Sequence, residues 1–185
     1  AESIYPYGDE YWQLDEEMRQ EWKQEIDLLI DALRSNSNLE KKDLTIQFLD
    51  VREQRRQEYR LSTEMIDYER KFEWLEGLAK YVEVSIWQQA YQSNTYEPLL
   101  SSELDPSFKE YQNFNRRWTM EINQLRRQAG TQGETRFYYT GMAQAILLDD
   151  LFPGWKERIF EDDIYLEDLL EAAILASSQS LKEDE

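Results

Sequence analysis

The chain has no cysteine and no histidine in its 185 residues. Without cysteine there is no disulfide framework, cysteine zinc site, iron–sulfur cluster or thiol nucleophile. Without histidine there is no Ser-His-Asp triad, no HExxH zinc helix and no Glu-x-x-His di-iron motif. Carboxylates, Tyr, Ser/Thr, Lys and Arg remain to do chemistry. Positive charge is also scarce: 21 Lys and Arg stand against 39 Asp and Glu, so the net charge is 21 − 39 = −18. Such a chain repels phosphate backbones, which excludes a nucleic-acid partner, and it repels anionic membrane surfaces for the same reason. No apolar run approaches the roughly 20 residues of a membrane span, so no membrane insertion is expected. Proteins and peptides remain as partners. The chain opens Ala1-Glu2-Ser3 without Met, from which removal of an initiator Met, a leader, a tag or a whole N-terminal region is expected.

The residues present are those of a folded core. Hydrophobic residues make up 41% and aromatics 14%, enough for one domain despite the charge. The patterning predicts an all-α, compact bundle of six or seven helices, a single helical domain over 1–185. A lead-in covers about 1–8 and a frayed tail about 177–185. Tyr11, Leu14, Met18, Trp22, Ile26, Leu29 and Leu33 mark one helix over 9–33. A second runs over 39–61 on the row Leu44, Phe48, Val51, Arg55 and Tyr59. A third, over 63–91, carries Met65, Tyr68, Phe72, Leu75, Ala79, Val82 and Ile86 inward. After a polar loop over 92–105 containing Pro98, Asp105-Pro106 reads as the cap of a fourth helix, with Phe108, Tyr111, Phe114, Trp118, Ile122 and Leu125 inward. A fifth helix, 134–151, is apolar nearly all round and is expected at the centre. Pro153-Gly154 opens a short helix to Phe160, and Leu166 to Ile174 marks the last.

Two features stand out on these helices. Arg55 interrupts an apolar row and must not be left as an unpaired buried charge. A buried or half-buried Arg–Glu network is therefore predicted between the second and third helices, with Glu76 and Glu73 as partners of Arg55. On the third helix Glu69, Glu73, Glu76, Lys80 and Glu83 share one row, and like charges at that spacing repel unless paired, solvated or bridged. Gly77 within that helix costs about 1 kcal/mol relative to Ala, which points to a close backbone approach beside Glu76.

The string Trp74-Leu75-Glu76-Gly77-Leu78-Ala79-Lys80-Tyr81 resembles the N-E-G-F-A-x-Y helix of gluzincin metallopeptidases. Tyr138-Tyr139-Thr140-Gly141-Met142-Ala143 resembles that family's Y-x-K-G-A segment, with Thr140 in place of its Lys. With Phe48 to Arg56 and Phe137 to Trp155, the likeness touches most of residues 45–156 and is closer to uncharacterised bacterial relatives. The resemblance implies Glu76 as a zinc ligand, Tyr138 as the catalytic group that stabilises the oxyanion, and Glu73 and Arg55 as residues supporting the ligand. Zinc is implied for a complete family member and none for this chain alone, since HExxH is absent. Arg52-Glu53-Gln54-Arg55-Arg56 lies near the HExxH position with arginine at both histidine places, one residue out of register with Glu76.

Two explanations stay open: a segment bearing HExxH outside these residues, or a lost site. The leading expectation is the helical lobe of a gluzincin-like zinc metallopeptidase, inactive as given. The alternatives are a non-catalytic helical protein-binding or scaffold module, and a carboxylate-only Mg²⁺ or Ca²⁺ enzyme. Asp149-Asp150, Asp162-Asp163 and Glu167-Asp168 read as helix ends and solvated faces.

Overall fold

The computed structural model describes residues 7–93 and 113–183, with side chains described through Ala176. The described residues are helical, without strands. They form α1 (Gly8–Gln13), α2 (Arg19–Arg34), α3 (Asn38–Glu58), α4 (Thr63–Phe72), a π-helical turn (Glu73–Gly77), α5 (Leu78–Gln92), α6 (Phe114–Gln128), α7 (Thr135–Leu151), α8 (Trp155–Arg158) and α9 (Leu166–Glu183). With α4, the π turn and α5 taken as one continuous rod, the described residues contain eight helices, slightly above expectation.

The extra helix arises because the one predicted over 9–33 is broken. Leu14 to Met18 form turns that separate α1 from α2. The break turns Asp15 inward, where its carboxylate accepts from Arg136 Nη1 at 2.5 Å with both side chains buried. A continuous helix would leave that guanidinium, stacked on Trp12 and Trp22, without its counter-ion.

Local chemistry fixes the other ends. Ser37 caps α3 by accepting from the Glu40 amide, and Ser62 caps α4 through the Met65 amide. Asn113 does the same for α6 at the Arg116 amide, so α6 begins at Phe114. The expected Asp105-Pro106 cap, the loop around Pro98 and inward Phe108 and Tyr111 lie outside the described residues. So do residues 1–6 of the lead-in and residues 184–185 of the tail. The α9 backbone stays helical to Glu183, past the Ser177 where fraying is expected.

α7 is the central element, as its composition predicts. It is buried nearly all round, from Arg136 and Phe137 to Leu148 and Leu151. The apolar interior has two parts. A large cluster joins Ile26, Leu29, Phe48, Leu125, Met142, Leu147, Trp155 and Leu170. A smaller aromatic one joins Tyr11, Trp22, Tyr68, Phe72 and Phe137, with neighbouring ring centroids 4.8–6.0 Å apart.

The third predicted helix departs from expectation at the π turn. Up to Phe72 its apolar row is buried. A π turn inserts one residue, and at 3.6 residues per turn this rotates everything beyond it by about 100°. The inward row becomes Gly77, Tyr81 and Val84. Leu75, Val82 and Ile86, expected in the core, are instead about half exposed at 47%, 51% and 52%.

Gly77 explains why the turn sits there. A Cβ on Gly77 would lie 2.5 Å from the Gly141 Cα of α7, and one on Gly141 would collide with the Glu73 carbonyl. The two glycines let the backbones touch, which is the close approach that Gly77 predicts. Gly154 opens α8 at φ 92°, in the left-handed region where an L side chain is strained.

Candidate functional site

The most heavily built polar feature lies between the two apolar clusters. On α3 the inward row passes from Thr45 and Phe48 to Arg52, Arg55 and Arg56. Each guanidinium meets carboxylates from other helices. Arg52 binds Glu73 through both terminal nitrogens at 2.7 Å, donates Nε to Glu25 at 3.0 Å and reaches Glu167 at 3.1 Å. Arg55 donates to Glu25 at 2.5 Å and to Glu69 at 2.6 Å. Arg56 donates to Glu69 at 2.9 Å and grips Glu167 in a fork at 3.0 and 2.9 Å. Arg70 extends the chain to Glu167 and Asp168. Four guanidiniums thus face five carboxylates, Glu25, Glu69, Glu73, Glu167 and Asp168.

Neutral donors complete the lining. Tyr11 donates its hydroxyl to Glu69 at 2.5 Å, and Thr140 donates to Glu73 at 2.6 Å. Aromatic faces close the cage: the Arg55 guanidinium lies 4.0 Å from the Trp22 ring centre, and that of Arg52 lies 4.5 Å from that of Phe48.

This arrangement shifts the titration of several members. Burial alone would raise the Glu69 carboxyl, but Arg55 and Arg56 hold it far below the usual carboxylate range. The Glu167 carboxyl, also opposed by burial, is lowered by Arg56 and Arg52 to about 2. Burial and then the Glu69 charge push the Tyr11 phenol well up. Burial would lower the Arg52 and Arg55 guanidiniums, but the adjacent glutamates more than offset it.

Carboxyls held low in the folded chain contribute stability above their unfolded pKa, and this is lost as pH falls through the folded value. For Glu167 the window runs from its ordinary 4.5 down to about 2. General relief of repulsion in a chain of charge −18 acts oppositely, so the informative quantity is the difference between wild type and Glu167→Gln. The unfolding free-energy difference in urea should be constant above about pH 5 and shrink toward zero by about pH 2. A difference that does not change with pH would show that Glu167 is not held low.

The sequence-predicted residues divide between this network and its surroundings. Arg55 is fully buried and paired, as predicted, but its partners are Glu25 and Glu69 rather than Glu76 and Glu73. Glu73 belongs to the network through Arg52. Glu76 is half-buried at the π turn and, among the described residues, forms no ion pair. Tyr138 is half-buried on α7, one turn before Gly141, so Glu76 and Tyr138 sit on the two elements that cross at Gly77 and Gly141. Thr140, where the resemblance expects Lys, is buried against Glu73.

Glu167 is buried rather than solvated, contrary to expectation; with the partly exposed Asp168 it closes the network from α9. Asp149 also has partners, accepting from the Tyr81 hydroxyl and Trp155 Nε1. Sequence reasoning also missed the part of Glu25. Its signal is a carboxylate at i+3 from Trp22, on the otherwise apolar inward face of an amphipathic helix.

Among the described residues no group of three or more His, Cys, Asp or Glu could hold a metal ion. No helix of the described residues is long and apolar enough to cross a membrane. No family model, curated protein or solved structure matches the chain.

Proposed function

We propose that this chain is the helical lobe of a gluzincin-like metallopeptidase, contributing Glu76 and Tyr138 to a site that these residues alone do not complete. One observation carries the reading. Of the carboxylates on the row Glu69, Glu73 and Glu76, the first two are consumed by arginines, while Glu76 stands outside the network at the π turn. π turns interrupt α-helices frequently at functional sites. Here the irregular turn is braced against the helix that carries Tyr138.

The residues present do not fit a zinc ion by themselves. The chain has no histidine, and the arginines at the HExxH-like positions, Arg52 and Arg56, are themselves buried in ion pairs. The 185 residues alone are therefore expected to be inactive.

Metal analysis with intact-mass spectrometry of the native protein tests the reading. The expected native product is longer than 185 residues, carries stoichiometric zinc and loses it in Glu76→Gln with helicity unchanged. A native product without zinc, or zinc retained in that variant, overturns it. The second reading, a non-catalytic helical protein-binding module, is favoured by the exposed apolar row on the π turn and α5.

A further inference from the structure

The face opened by the π turn leads into a groove. Trp74 and Leu75 form one wall, and Ile159, Phe160 and Ile164 form the other, around a cavity of about 510 Å³. The walls are tied together: the Trp74 indole donates to the Ile159 carbonyl at 2.9 Å, and its ring meets Phe160 edge-on. Among the described residues nothing covers the lip, and Phe160 is 74% exposed, one of the largest apolar exposures among them. From Leu75 the apolar surface continues along α5 through Ala79, Val82 and Ile86, at steps of three and four. Eleven residues of helix at 1.5 Å each make this row about 16 Å long, three turns of a helix laid beside it. Contiguous apolar surface of this kind marks an interaction site more often than a solvated face.

The charge around the groove selects the occupant. Glu161, Asp162 and Asp163 line its rim, and its one cation, Lys71, is already paired with Asp67 at 3.2 Å. The whole chain carries −18, so a second copy or an acidic partner would bring like charge to this rim. We propose that the groove and the α5 row bind a basic amphipathic helix, with a large apolar side chain seated between Trp74 and Phe160 and Lys or Arg facing the 161–163 rim. This inference does not depend on the peptidase reading, because neither Glu76 nor Tyr138 takes part.

A fluorescein-labelled Lys/Leu helix with Leu at i, i+4, i+7 and i+11 is the probe, read by anisotropy. It should bind the full chain in the micromolar range. A Glu/Leu version, and a Lys/Ser version of equal charge, should each bind at least about tenfold more weakly, a loss of about 1.4 kcal/mol. Leu75→Asp and Phe160→Asp should each abolish binding while circular dichroism stays unchanged; both side chains are exposed, so folding is not at issue. Equal binding of the Lys/Ser helix, or binding that survives both substitutions, would reduce the effect to bulk charge attraction and overturn the proposal. Self-association by sedimentation that Phe160→Asp abolishes would assign the face to a second copy, and also overturns it.

Discussion

Replacing Arg55 with Met should lower the unfolding free energy by about 3–5 kcal/mol, the usual effect of removing one partner from a buried ion pair. Arg55 is fully buried and bridges Glu25 on α2 to Glu69 on α4. Without it both carboxylates stay buried with less counter-charge, and Trp22 loses the nearest of the three guanidiniums around its ring. Arg55→Lys should rescue little. A single ammonium lacks the planar fork that reaches both glutamates at once. The double variant Arg55→Met with Glu69→Gln should recover part of the loss, because a neutral amide is far less costly to bury than an unpaired carboxylate. Urea midpoints at unchanged slope are the measurement. A loss below about 1 kcal/mol would place the network in the range of solvent-exposed pairs.

Gly77→Ala should be strongly destabilising, although Ala is the better helix former by about 1 kcal/mol. The added methyl would lie 2.5 Å from the Gly141 Cα, backbone against backbone, where no rotamer change relieves it. The rod and α7 must separate, for an expected net loss on the order of 3 kcal/mol or more. Gly141→Ala should behave alike, since its methyl meets the Glu73 carbonyl. Gly130→Ala is the internal control: its nearest neighbour, the Arg127 carbonyl, is 3.9 Å away, and no loss is expected. Thermal denaturation of the three variants side by side decides the matter. A neutral Gly77→Ala would mean that the crossing has slack.

The fold class, the central place of α7 and the close approach at Gly77 were legible because each rests on local signals, namely apolar periodicity and the cost of glycine in a helix. Burial of Arg55 was legible from its row, but its partners were not. Spacing along one helix cannot say that α2 supplies Glu25 and α9 supplies Glu167. The broken first helix hid behind good periodicity, because Asp15 answers to Arg136, distant in sequence. The outward turn of Leu75, Val82 and Ile86 was the deepest miss. A helical wheel assumes constant winding, and one extra residue at Glu73–Gly77 voids it. Glu76 was found through a resemblance; its freedom from the network became visible only once Glu69 and Glu73 had partners.

The π turn has a consequence for anyone comparing sequences. In alignment terms it is a one-column insertion inside an unbroken helical rod, with no loop, proline or change of composition to mark it. A gapless alignment of this chain to a relative wound as plain α-helix would be in phase through Phe72 and out of phase from Leu78 onward. It would score Val82 and Ile86 as core and Tyr81 and Val84 as surface, the reverse of their burial here. A single gap placed between residues 73 and 77 restores every later position.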